Sequence, residues 1–249
     1  MALLELQGLT KRYGGIVAVD NVSMSVEPGE VRAVIGPNGA GKTSLFHLIT
    51  GVVKPTMGEI VFDGQRVTAM PAFSRCQLGM SRTFQITALF PEMSARENTR
   101  LAAQARDKQR WRPLGSGAVF AEASRRGDAA LERLGLSHVA ERQAGLLSHG
   151  DQRLLEVAMA LAQQPRLLLM DDPTQGLSVE ETAQAVEVLG GLFAGGGLTV
   201  LLVEHDMEVV FRLASKMTVL HRGSVIADGD PATVKADPVV QDAYLGGYT

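Results

Sequence analysis

An α/β fold with a largely buried parallel sheet, an antiparallel β layer near the N-terminus and a helical insertion is what the sequence predicts, and three observations predict it. Short, nearly continuous apolar runs at Val31–Ile35, Leu167–Met170 and Leu198–Val203 read as strands buried on both faces. The first of them ends in a glycine-rich loop that opens directly into a helical pattern. Between roughly Pro91 and Ala162 the texture changes to Ala, Arg, Glu and Leu with few β-branched residues, the composition of helices.

Each element can be justified in chain order. Leu4 and Leu6, then Val22, Met24 and Val26, alternate with polar residues, so they belong to half-buried antiparallel strands. Pro28-Gly29 turns the chain. After Val31–Ile35 and the glycine-rich loop, Ser44 to Thr50 carries Leu45, Phe46, Leu48 and Ile49 at helical spacing, with Gly51 as the residue that ends the helix. Leu198–Val203 comes after Gly195-Gly196-Gly197, which adds another strand fed by a helical crossover. Three segments are expected: 1–88 with the β layer and the glycine-rich loop, 89–160 as the helical part, and 161–249 as the second half of the core with a C-terminal tail.

Composition narrows the function classes. The chain has 249 residues, 45% of them hydrophobic and 20% charged, enough to bury a sizeable interior. Lys and Arg number 24 against 27 Asp and Glu, so no global positive field argues for nucleic acid, and none is expected as a partner. Cys76 is the one cysteine, which excludes an internal disulfide, and the five histidines show no metal-ligand spacing with it. The start of the chain lacks a basic and apolar leader, and no apolar run reaches the ~20 residues needed to cross a bilayer. The cytosol fits best. Arg106, Lys108, Arg110 and Arg112 surround Trp111 before Pro113 breaks the helix; this is either a solvated helix end or a contact for anionic lipid or a partner.

Gly36-Pro37-Asn38-Gly39-Ala40-Gly41-Lys42-Thr43 matches G-x-x-x-x-G-K-[ST] and sits between a predicted strand and a predicted helix. Glycines let successive backbone N–H groups face phosphate oxygens, and the helix N-terminus adds the positive end of its dipole. Lys42 then reaches the β and γ phosphates, the Thr43 hydroxyl takes Mg²⁺, and Ser44 completes the loop. Such a loop fits kinases, GTPases and many ATPases. Leu167-Leu-Leu-Met-Asp171-Asp172 delivers two carboxylates at the C-terminal end of a buried strand, Asp171 suited to Mg²⁺ and Asp172 to the base or water-orienting role. A pair of helix-capping acids is the plainer alternative. No guanine-reading Asn-Lys-x-Asp is present, since the asparagines are Asn21, Asn38 and Asn98, so adenine is the expected base.

Leu147-Ser148-His149-Gly150-Asp151-Gln152-Arg153 opens a helix with Leu154, Val157, Ala158 and Leu161 at helical spacing, and Ser148 with Asp151 fits the capping-box pattern. Lying one helix and a loop upstream of Asp171, this segment makes the chain resemble the ABC ATPase family, whose Leu-Ser-Gly-Gly-Gln-like signature precedes the acidic strand in the same way. The resemblance spans nearly the whole chain. It implies a RecA-like P-loop NTPase core with an N-terminal antiparallel β subdomain and an inserted α-helical subdomain. It further implies that Tyr13, in Lys-Arg-Tyr-Gly-Gly, stacks on adenine, and that Gln85, in Arg-Thr-Phe-Gln, touches Mg²⁺ and the attacking water. Ser148 and Gly150 would bind the γ-phosphate of ATP held by the other protomer; Gly176-Leu177-Ser178 would be the D-loop, and His205 the switch histidine that contacts the γ-phosphate. An ordinary surface tyrosine and a structural histidine remain the plainer readings of Tyr13 and His205.

The strings at 147–153, 82–85, 203–207 and 243–246 look most similar to ATPases of branched-chain amino acid uptake; those for urea, other amides or lipopolysaccharide export share several of them. The resemblance implies a protein that works with ATP and Mg²⁺ as a dimer with a second ATPase protomer, on transmembrane permease subunits and indirectly with a solute-binding protein. It would lie in the cytoplasm, peripheral on the inner face of the cell membrane. A slow-hydrolysing nucleotide-gated switch is the rival. Two departures stand out: Asp172 replaces the family's usual Glu, one methylene longer, which predicts slow but measurable turnover, and His149 and Asp151 alter the signature around the retained Ser148 and Gly150.

Overall fold

The computed structural model describes residues 1–83, 89–106 and 116–245. In chain order the elements are β1 (Leu4–Tyr13), β2 (Ile16–Val26), β3 (Val31–Ile35), α1 (Lys42–Thr50), β4 (Met57–Phe62), β5 (Gln65–Arg66), α2 (Ala72–Leu78), β6 (Met80–Arg82), α3 (Ala95–Ala105) and α4 (Ser116–Arg133). Then come α5 (His149–Ala162), β7 (Leu167–Asp171), α6 (Val179–Ala194), β8 (Thr199–Val203), α7 (Met207–Leu213), β9 (Lys216–His221), β10 (Ser224–Gly229), α8 (Pro231–Ala236) and α9 (Pro238–Leu245). They fall into two compact units, 1–78 with 197–249 and 79–196.

The first unit holds an antiparallel sheet in the order β2-β1-β4-β5, with Leu4 opposite both Val26 and Phe62. Leu4, Leu6, Leu9, Val22, Ile60 and Phe62 are buried, which is the alternation read from the sequence. The same unit lays β3 between β8 and β9, both parallel to it, and adds β10 antiparallel at the edge. All five residues of β3 are buried, as are all five of β8. One of the five in β3 is Arg32, a charge inside a strand otherwise apolar. Its guanidinium is met by Glu30, Asp228 and the Thr218 hydroxyl, so the charge is paired where it is desolvated.

Behind β3, α1 buries Leu45, Phe46, Leu48 and Ile49 completely, each contributing about 1.5–3 kcal/mol of transfer free energy. The helix begins at Lys42, two residues before the apolar pattern suggests, because Gly41 in a left-handed conformation is its N-cap, and it ends on left-handed Gly51 as expected. Its last carbonyls are covered by Arg75 of α2, which is 1% exposed and donates to Leu48 O (2.7 Å), Ile49 O (2.6 Å), Met70 O (3.0 Å) and Thr68 O (3.0 Å). Burial lowers this guanidinium to about 10, which leaves it charged at neutral pH.

The second unit pairs β6 with β7 in parallel and packs α3, α4, α5 and α6. Leu167–Met170 are fully buried. A capping box at Ser94 and Glu97 starts α3, and Asn98, fully buried, holds the preceding turn by accepting from Phe90 N (2.9 Å) and donating to Ser94 O (2.9 Å). Arg106 donates to the carbonyls of Gln163 and Gln164 just beyond α5. Lys108, Arg110, Trp111 and Arg112, the rest of that basic cluster, lie outside the described residues. Among the described residues no helix is long and apolar enough to cross a membrane.

Candidate functional site

In the first unit the phosphate loop is shaped by what glycine alone allows. Gly36 has φ 152°, and a Cβ there would lie 2.1 Å from Leu220 O; Gly41 has φ 103°, and its Cβ would lie 2.3 Å from Ala18 O. Both obstacles are backbone, so neither can yield. The loop is further pinned by Ala40, whose N–H donates to Pro37 O and whose carbonyl accepts from Gly223 N (3.0 Å). Lys42 curls back over it, its Nζ donating to the carbonyls of Gly36 and Pro37.

Gly41, the N-cap of α1, offers no side-chain cap. A helix N-terminus wrapped by a glycine loop and joined by an ammonium has the backbone and charge that suit an anion. Thr43, on the first turn, is exposed. Tyr13 ends β1, 44% exposed as a residue, with Lys11 Nζ 4.9 Å from its ring centre, so an aromatic ring and a cation lie at the same edge. His205 comes after β8 with its side chain 60% exposed, while its neighbour Glu204 is fully buried and accepts from His205 N at 3.2 Å. Asp206, next in line, caps α7 through Glu208 N (2.9 Å).

The second unit holds the acidic strand end and the signature helix. Asp171 closes β7, is 2% exposed, and accepts from Arg82 Nη2 at 2.6 Å. The partner comes from the end of β6, whose register places Arg82 beside Leu169 and whose chain continues with Thr83 N donating to Leu169 O (2.9 Å). Asp172 has φ 47°, left-handed backbone that Asp tolerates better than most residues. Ser148 is the N-cap of α5 and accepts from Asp151 N (3.1 Å), so the serine half of the capping box read from the sequence is present, without the reciprocal bond that α3 and α6 show. Gly150 N–H donates to the Glu181 carboxylate at 3.1 Å. Gly176 is left-handed, and Ser178 caps α6 in a reciprocal box with Glu181.

Gln85 lies outside the described residues. The phosphate loop, Tyr13 and His205 belong to the first unit, and Asp171, Asp172, Ser148 and Gly150 to the second. Three groups escaped the sequence reading: Arg82 on Asp171, Glu204 beside His205, and Glu181 on Gly150. None of these three contacts had a local signal; Ser178-Val-Glu-Glu181 fits the same capping pattern as Ser148 to Asp151, but that pattern points only to the Ser178 cap.

Set beside known families, residues 19–175 match the profile described as ABC transporter. The chain belongs to the ABC transporter family. It is an ATP-binding cassette, an ATPase built on the P-loop NTPase core with an antiparallel β subdomain that the sequence predicts. A second family profile, described as Branched-chain amino acid ATP-binding cassette transporter, matches residues 224–248. This cassette is 38% identical, over 98% of its length and 98% of the relative's, to the high-affinity branched-chain amino acid transport ATP-binding protein LivG of Escherichia coli strain K12. Its fold is similar to the ADP conformation of MJ1267, an ATP-binding cassette of an ABC transporter, with a TM-score of 0.86, 31% identity and 99% of both chains covered. It is also similar to a dimeric post-hydrolysis state of the cassette MJ0796 bound to ADP and Pi, with a TM-score of 0.76, 27% identity, and 92% and 98% of the two chains covered.

Proposed function

We propose that this cassette powers the import of branched-chain amino acids, as one half of a nucleotide-sandwich dimer attached to the inner face of the cell membrane through permease subunits. A solute-binding protein would deliver the substrate to those permeases. The observation that carries the ATP site is the loop in which Gly36 and Gly41 exclude any Cβ while Lys42 folds over it at the start of α1. The full-length likeness to LivG and the match over 224–248 support the substrate class.

In this reading the backbone from Gly36 to Ser44 and the Lys42 ammonium cradle the phosphates, and Tyr13 stacks on adenine. Thr43 and Asp171, with Gln85, would hold Mg²⁺; hydroxyl and carboxylate oxygens are the hard donors that ion takes. Asp171 brings one such carboxylate, whose Oδ2 accepts from Arg82 Nη2 at 2.6 Å. When bound, Mg²⁺ would neutralise charge building on the phosphate oxygens. Asp172 and His205, with Gln85, would orient the attacking water. Ser148 and Gly150 would receive the γ-phosphate of the partner protomer's ATP, and residues 86 to 100 would pass closure on to the permease.

Two measurements test the reading. ATP hydrolysis by the purified chain should rise faster than linearly with protein concentration and vanish in Lys42→Ala and Asp172→Asn. In Asp172→Glu it should rise, because the longer carboxylate restores the reach that costs on the order of 10²-fold when misplaced by an ångström. Fast wild-type turnover unchanged in Asp172→Glu removes the idea that the shorter acid limits the rate. Loss of the chain from its host should abolish uptake of labelled leucine; unchanged uptake of leucine, isoleucine and valine would sink the substrate class.

A further inference from the structure

The N–H of Gly150, assigned above to an incoming γ-phosphate, already has an anion seated on it. Glu181 places its two carboxylate oxygens on two different helix starts. Oε1 accepts from Gly150 N of α5 at 3.1 Å, and Oε2 accepts from Ser178 N, the N-cap of α6, at 3.0 Å. Ser178 Oγ returns a bond by accepting from Glu181 N at 3.2 Å, so the side chain leaves α6 from a fixed base. It lies against the signature helix: a Cβ added at Gly150 would meet Glu181 Cγ at 3.4 Å. Bonds from the Ser178 backbone, the Gly150 backbone and the Ser178 side chain, with His149 adding a small electrostatic pull, hold this carboxyl below its ordinary value of 4.5. At neutral pH it is therefore a permanent negative charge at the place where a second one would have to arrive.

We propose that the Glu181 carboxylate is an intramolecular stand-in for the γ-phosphate: it occupies the Gly150 amide in the lone protomer and must yield when the partner's ATP docks. Two anions cannot share one N–H without repulsion, and a charge-assisted hydrogen bond has to be given up before the new one forms. Glu181 is thus a positioning residue that sets how much ATP is needed to close the dimer. Because Oε2 stays with the N-cap of α6, displacement of Oε1 uncouples the signature helix from the D-loop segment at the same moment. The inference rests on the nucleotide-sandwich reading.

The test is the monomer–dimer equilibrium of the full chain with ATP, measured by analytical ultracentrifugation in an Asp172→Asn background, with ADP formation checked in the same sample. Glu181→Gln keeps a side-chain oxygen for the Ser178 cap but removes the charge. The expected result is a dimer at least about tenfold tighter with ATP than in the Glu181 parent, both proteins monomeric with ADP, and a thermal midpoint without nucleotide somewhat below the parent's, because the charged carboxylate that the caps favour is gone. Glu181→Ala removes the acceptor outright and should tighten the dimer as well, its lost cap being visible separately as a lower midpoint. An ATP dimer equally tight or weaker in both variants overturns the inference while leaving the sandwich intact. A parent and variants that all stay monomeric with ATP at every concentration overturn the sandwich reading and this inference with it.

Discussion

Replacing Arg75 should unsettle the ATP site from behind, through the far end of the helix that carries the phosphate loop. Arg75→Met keeps most of the stem's volume and deletes four hydrogen bonds, those to Leu48 O, Ile49 O, Met70 O and Thr68 O. Swapping a buried ion pair for hydrophobes can be neutral because both charges leave together. Here the four carbonyls stay behind, and among the described residues only Leu48 O has a replacement donor, Gly51 N at 3.2 Å. Stranding a buried acceptor costs about 1–3 kcal/mol, and recovery of the guanidinium's own desolvation offsets part of that. At about 1 kcal/mol for each of the four lost bonds the net is about 4 kcal/mol, a large share of the ~5–15 kcal/mol that holds a protein folded. For a chain of this size the thermal midpoint should drop by about 8–16 °C. Calorimetry checks this, and isothermal titration of ATP checks that the loosened α1 also weakens nucleotide binding. Arg75→Lys keeps the charge but not the fork, so it should recover about half the loss. A drop below about 3 °C in Arg75→Met, where about 8 °C or more is expected, or a lysine variant as stable as the parent, would refute the reasoning.

Gly41→Ala should abolish ATP binding in titration and cost about 2–4 kcal/mol in thermal unfolding, since its Cβ would sit 2.3 Å from Ala18 O on backbone at φ 103°. Gly39→Ala, at φ 80° with nothing within 4 Å, serves as the comparison and should cost only about 1 kcal/mol. Glu97 is held below its ordinary value of 4.5 by the Ser94 backbone N–H and hydroxyl and then by Arg100. A carboxyl lowered in the folded state stabilises fully above its unfolded value and loses that contribution as pH falls through the folded one. The gap in unfolding midpoint between the parent and Glu97→Gln should therefore be constant above the ordinary value of 4.5 and close below it; a gap independent of pH would contradict the capping geometry.

The parts of the fold that were legible in the sequence are those in which a residue's duty is decided within a few positions. Gly36 and Gly41 announce a loop because backbone conformation is local, Ser148 announces a helix start because a hydroxyl caps an amide three residues on, and Leu167–Met170 announces a buried strand because all four side chains are apolar. What escaped was the company that charged residues keep. Arg75, inside a seven-residue helix, has no periodic mark that separates it from a solvated arginine, and only the tertiary fold brings it to the end of α1. Arg32 interrupts an apolar run and is tolerated because Asp228, 196 residues later, returns beside it. Arg82 and Asp171 stand 89 residues apart, joined by the register of β6 on β7. Glu181 shows the boundary within one side chain: its bond to Ser178 could be read from a four-residue pattern, while its bond to Gly150 spans 31 residues and could not. The non-local half is also the half that bears on mechanism. A carboxylate held by two helix starts ties the signature to the segment after Asp172, so an anion arriving at the first necessarily acts on the second.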